Sequence, residues 1–162
     1  MEQVVEQILE DRRSLEAAVG YPVRGLSYPN GSFSDEIVKT LPALGIRYSR
    51  TVEETGAFAM PEDFLRWKAT CHYNHNLLEL GKEFVSLHKT QYLYMMYVWG
   101  HSYEFNIYGN WDVMEEFCRN CGGRDDIWYA TNIEIVDYME AAGRLQFGAA
   151  GNMVYNPSAG LK

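Results

Sequence analysis

Tyr92-Leu93-Tyr94-Met95-Met96-Tyr97-Val98-Trp99-Gly100-His101 is an unbroken apolar and aromatic run that stops at a glycine and delivers a histidine. The run is too short for a membrane span. It reads as a strand over 92–99 buried on both faces, the kind found in parallel sheets flanked by helices. In parallel α/β architectures chemistry collects at the C-terminal ends of the strands. His101 lies at that end and is the first candidate for a catalytic group.

Working outward, strands and helices alternate. Val4, Val5, Ile8, Leu15, Ala18 and Val19 recur at helical spacing and predict a helix over Glu2–Val19, closed by Gly20. A short strand over 23–28 is stopped by the turn signal Pro29-Asn30-Gly31. Ser34 caps a helix from Asp35 to Leu44, with Pro42 tightening its last turn. Strands are expected at 46–51 and, more weakly, 64–70, followed by a helix over 76–87. After the aromatic strand, Asn110 caps a helix that ends at Gly122-Gly123. Ile127–Ala130 reads as a strand, and Thr131-x-x-Glu134 is a capping box opening a helix that runs to Ala142. Two short strands are expected at 145–147 and 153–155. The alternation predicts an α/β domain with mostly parallel strands over 1–145 and a short C-terminal β extension or tail over 146–162. The chain opens on a helix that ought to follow a strand, and it has too few strands to close a barrel.

Composition narrows the function classes. The 162 residues, 47% hydrophobic and 14% aromatic, suit one domain with a sizeable core. A formal charge of −8 argues against a nucleic-acid backbone or an anionic membrane as partner. No segment is apolar enough to span a bilayer, and residues 1–20 are charged and amphipathic rather than a signal peptide. Cys71, Cys118 and Cys121 are an odd number without the spacing of a disulfide framework, as expected for a cytoplasmic protein. Cys118-x-x-Cys121 falls on a helical pattern instead of at a helix start, where a thiol would be activated, so no redox role is assigned.

Several residues could carry chemistry. Ser27-Tyr28-Pro29-Asn30-Gly31 ends its strand on the side of His101, and such a turn can aim a backbone N–H at a ligand oxygen; the plainer reading is an ordinary strand-to-helix turn. His101-Ser102-Tyr103-Glu104 sets a carboxylate three residues after a histidine able to give or take a proton near neutral pH. Its bland alternative is a histidine satisfied by a backbone carbonyl. In Cys71-His72-Tyr73-Asn74-His75 the side chains are metal-capable but too crowded in sequence for a structural zinc site. His72 and His75 therefore read as loop residues bordering a cleft, no metal ligand is assigned, and ligation by either stays open. Asp125-Asp126 reads as a solvated turn, and His88 as a partner for a helix C-terminus. Four tryptophans and twelve tyrosines could stack on sugar rings, although most belong to a core.

These motifs resemble the polysaccharide deacetylase family (carbohydrate esterase family four, chitooligosaccharide deacetylase-like) over most of residues 2–142. The carriers are Gly20-Tyr21-Pro22-Val23-Arg24, Ser27-Tyr28-Pro29-Asn30-Gly31, Leu44-Gly45-Ile46-Arg47-Tyr48-Ser49-Arg50, Val98-Trp99-Gly100-His101, and Ile127–Ala130 with Thr131-Asn132-Ile133-Glu134. The resemblance implies a partial (β/α) barrel lacking its N-terminal strands, and metal-dependent hydrolysis of N-acetyl or O-acetyl groups on sugars. It implies that Asn30, beside Pro29, offers an oxyanion-hole N–H, and that His101 is the general acid. Tyr28, Pro29, His72, Trp99 and Glu104 are then expected to contact substrate. Ser27 stands where the family commonly has an arginine, and Asn30 where it has a tyrosine. The family's aspartate pair and His-x-x-x-His, which supply the base and the zinc (or other divalent metal) ligands, are missing. The chain thus reads as a C-terminal portion with no cofactor of its own and weak or absent activity. Its alternative is a non-catalytic carbohydrate-binding or interaction module. The expected partners are an acetylated sugar or polysaccharide and a second copy of the chain, in a homo-oligomer covering the open barrel edge.

Overall fold

The computed structural model describes residues 1–88 and 90–158; residues 159–162, the end of the expected C-terminal extension, lie outside the described residues. Helix α1 (Glu2–Val19) has the predicted length, and Gly20 ends it in the left-handed conformation (φ 77°), donating its N–H to Glu16 O. Strand β1 (Gly25–Ser27) leads into a single 3-10 turn at Pro29–Gly31. Helix α2 (Asp35–Thr40) passes into a tighter 3-10 turn over Leu41–Leu44, because Pro42 has no N–H for the α-helical ladder. Then come β2 (Tyr48–Glu54), β3 (Trp67–Ala69), β4 (Cys71–His72), α3 (Leu77–Val85) and β5 (Val98–Trp99). Helices α4 (Ser102–Tyr108), α5 (Trp111–Cys121) and α6 (Asn132–Gly143) precede the hairpin of β6 (Gln146–Phe147) and β7 (Val154–Tyr155).

The architecture is mixed α/β. One sheet has the order β1-β2-β3, and β4 and β5 form a second, two-stranded one. β2 and β3 are parallel, as are β4 and β5; β6 and β7 are antiparallel. Among the described residues no barrel is closed. β2 and β3 are out of step: Arg50 pairs with Trp67 but Glu54 with Ala69, so four steps along β2 match two along β3.

Three expectations are corrected. The aromatic run is not a strand over 92–99. Only Val98–Trp99 pairs in a sheet, Tyr94 makes an isolated bridge to Ala59, and Tyr92 and Leu93 are exposed. Its middle is held by irregular bonds instead, Met95 N–H to Phe58 O and Tyr97 N–H to Thr70 Oγ1. An apolar run marks a strand only where a neighbouring strand is available to pair with it, and β4 offers two residues. Ile127–Ala130 is not a strand either, and Trp128 and Tyr129 are exposed. Helix α4, directly after His101, has no counterpart among the predicted elements.

The chain divides into two compact units. The first comprises residues 1–26, 35–48 and 129 onward. It buries Val38, Leu41, Ile46, Val136 and Ala141. Arg24 makes a two-pronged bond to Asp137, 2.8 Å on each arm, fixing α6 to the segment before β1. Arg12 bonds Glu16 and the Leu44 carbonyl. The second unit comprises residues 27–34 and 49–128. Cys71, Tyr73, Leu77 and Phe105 form its buried cluster, joined by Leu80, Val98, Met114 and Phe117. α3 packs on α5 at Gly81, where a Cβ would lie 2.9 Å from the Phe117 ring.

Candidate functional site

The site lies in the second unit, at the C-terminal ends of β4 and β5. The two strands are parallel with His72 opposite Trp99, so their ends coincide. The chain leaves β5 through Gly100, where a Cβ would sit 2.2 Å from Tyr73 Cδ1 and 3.2 Å from His72 Nε2. Only a residue without a side chain lets the backbone pass this close. The next residue, His101, is the N-cap of α4 in extended conformation, and Glu104 falls at the third helical position. Glu104 N–H donates to His101 O at 3.0 Å, and His101 N–H donates back to Glu104 Oε2 at 3.4 Å. This reciprocal capping fixes both residues locally.

Three polar side chains then converge. Glu104 Oε2 is 3.3 Å from His72 Nε2, and Glu104 Oε1 is 3.4 Å from His101 Nδ1. One donor atom from each of the three lies within 4.8 Å of the other two. The site is graded in exposure: 11% for the His72 side chain, 18% for Glu104 and 52% for His101. The histidine ring that faces outward is thus His101.

Electrostatics follow from this grading. Burial alone would raise the Glu104 carboxyl, but the His101 N–H, the Tyr73 hydroxyl and the two imidazoles outweigh it and hold Glu104 below the usual carboxylate range. The buried Tyr73 hydroxyl makes no well-formed hydrogen bond, and burial together with the nearby Glu104 raises it above its ordinary value. Burial, helped by the neighbouring His75 and His101, outweighs Glu104 and Glu54 and pushes His72 below its ordinary value. His72 is therefore neutral at neutral pH. Asn74 N–H donates to its Nδ1 at 3.3 Å, which places the ring proton on Nε2, facing Glu104.

The surrounding residues come from β2 and β5. Trp99 meets the His72 ring edge-on at 4.7 Å, and the Arg50 guanidinium lies 4.4 Å from the Trp99 ring centre. His75, 5.4 Å from the His72 ring, is turned onto Glu54, which accepts from its Nδ1 at 2.9 and 3.1 Å. His75 is thus committed elsewhere.

Of the residues singled out from sequence, His72, Trp99, His101 and Glu104 come together. Tyr28, Pro29 and Asn30 form a separate feature at the end of β1. Tyr28 is buried, stacked on Phe33, and its hydroxyl donates to Leu65 O at 2.7 Å. The turn is closed by Gly31 N–H to Tyr28 O and Ser32 N–H to Pro29 O, and Asn30 N–H takes no part in either bond. Gly31 lies against Val52 of β2, and Tyr28 N–H donates to Arg50 O, so this turn flanks the strand that carries Arg50 and Glu54. Arg50, Glu54 and Tyr73 were not foreseen. The signal for the first two was β2 running on past Thr51, which sets Arg50 and Glu54 at an even spacing along one strand.

No protein-family model matches the chain, and no curated protein or solved structure matches it.

Proposed function

We propose that this chain carries the proton-donating side of a carbohydrate-deacetylase-like site, serving hydrolysis of N-acetyl or O-acetyl groups on a sugar. The observation that supports it is the placing of His101. Its Nδ1 faces Glu104, while the ring is half exposed at the end of β5, leaving Nε2 on the far side for a substrate. The resemblance of Val98-Trp99-Gly100-His101 and Ser27-Tyr28-Pro29-Asn30-Gly31 to the deacetylase motifs points the same way.

In hydrolysis of an acetamide, water adds to the carbonyl carbon and the C–N bond then breaks. The departing amine needs a proton, which His101 Nε2 supplies. Glu104 fixes the ring orientation and stabilises the imidazolium that precedes donation. Trp99 and Tyr103 offer aromatic faces for a sugar ring, while a role for the Asn30 N–H toward the carbonyl oxygen rests on the resemblance alone, its turn being separate from these residues. The family's metal supplies an activated water when bound. Its ligand set does not fit this chain: no two histidines lie four apart, and Asp125-Asp126 sits in a turn with Asp126 bound to Arg124. Activity of the chain alone is therefore expected to be weak or absent.

Acetate release from N-acetylated chitooligosaccharides, compared with 4-nitrophenyl acetate, tests the donor role. A nitrophenolate leaves without a proton, so His101→Ala should cost about 100-fold or more on the sugar amide and little on the ester. Equal losses on both would overturn it. Binding of the oligosaccharide by calorimetry without any acetate release would replace it with the carbohydrate-binding module, which the aromatic surroundings of His72 and Trp99 would serve.

A further inference from the structure

We propose that His72 Nε2, His101 Nδ1 and a carboxylate oxygen of Glu104 form a binding site for one divalent cation of the zinc class. The proposal rests on the geometry of these three groups and does not require the hydrolytic reading.

The separations suit such an ion. Zinc holds nitrogen and oxygen donors at about 2.0–2.1 Å in a tetrahedron, which places neighbouring donors about 3.3–3.4 Å apart. His72 Nε2 lies 3.3 Å from Glu104 Oε2 and His101 Nδ1 lies 3.4 Å from Glu104 Oε1, a different oxygen for each ring, and three donor atoms, one from each residue, lie within 4.8 Å of one another. A small inward rotation of the half-exposed His101 ring completes the tripod.

Donor chemistry selects the metal class. Two imidazoles and one carboxylate favour zinc, cobalt, nickel or copper over calcium and magnesium, which prefer all-oxygen shells. One outer-shell bond is present as well, from the His101 backbone N–H to Glu104 Oε2. His75 is excluded from the ligand set by its bonds to Glu54. Three protein ligands leave a fourth position, and the exposed side at His101 opens it to water.

Ligation has one internal cost. The His72 ring proton must move from Nε2 to Nδ1, breaking the long contact from Asn74 N–H. That contact is among the weakest at the site, and metal coordination exceeds it.

The test is equilibrium dialysis of the chelator-treated full chain against zinc, with element analysis, and the visible absorption of the cobalt form. We expect about one ion per chain and a cobalt spectrum of low coordination number. His72→Ala, His101→Ala and Glu104→Gln should each weaken binding by at least about tenfold, the amount that even outer-shell partners are worth. His88→Ala should not. The exposed His101 makes its variant safe for folding, checked by circular dichroism. No stoichiometric binding by the unaltered chain, or binding undiminished in Glu104→Gln and His101→Ala, would overturn the site. Because the readout is bound metal, its failure leaves the acetate-release test standing, and the reverse also holds.

Discussion

At Gly100 the backbone runs so close to Tyr73 and His72 that a methyl group has no room. A Cβ there would overlap the Tyr73 ring at 2.2 Å, and Tyr73 is itself locked against Phe105 with ring centres 4.1 Å apart. Gly100→Ala should therefore destabilise the chain by about 1–3 kcal/mol, the usual cost of overpacking a filled core. Urea unfolding of the variant measures it, and an unchanged midpoint would show that the Tyr73 ring yields freely. At this scale the sequence was informative wherever partners are close along the chain. His101 and Glu104 are three apart and on one helical turn, so their meeting could be read directly. His72 joins them across 29 residues through a pairing of two residues per strand, and nothing local announces that. Metal ligation by His72 could only be left open, since the histidine that converges with it on Glu104 is His101, far along the chain, and His75 is turned onto Glu54.

Among the elements, α6 is tied down by charge as much as by packing. The Arg24 guanidinium, bonded to Asp137 through both arms, holds that carboxyl below the usual range. A group whose folded value is depressed contributes stability above its unfolded pKa and loses it as pH falls through the folded value. Asp137→Asn should thus lower the urea midpoint at pH 7 and converge with the unaltered chain in strong acid. Parallel curves across that range would mean the pair contributes nothing. Both carboxylate and arginine are about one-third exposed, so solvent reduces the effect. Elements with punctuation were legible: α1 by its period and Gly20, α6 by Thr131-x-x-Glu134, and the turn after α2 by Pro42 and Gly45. Elements defined only by a distant partner were not. β4 has two residues, the aromatic run pairs only at its end, and α4 is seven residues with apolar side chains pointing outward, Tyr103, Ile107 and Tyr108 among them.

For the whole molecule, surface apolarity is the prominent fact. α1 has no buried residue, and Leu15 and Val19 are exposed on it. β1 and β3 end their sheet. Unpaired strand edges and apolar helix faces favour association. Sedimentation velocity over a micromolar concentration series should show a second copy joining the first; a single monomer species throughout would refute this. The acidic balance and the parallel strands could be foreseen from composition and alternation, whereas strand length could not, because apolar content measures burial and not pairing.

The mismatch between β2 and β3 sets a rule of parity. β2 gains two steps on its neighbour between Arg50 and Glu54, and two is even. Ser49 and Thr51 are buried, while Arg50 reaches Trp99, Val52 meets Gly31 and Glu54 takes His75. Losing one residue between 51 and 53 would turn Glu54 over to the opposite face and release His75 toward its neighbour His72; losing two would keep the order of faces. The permitted length changes of this strand are thus counted in pairs, and any odd one would rewrite which histidines are at liberty.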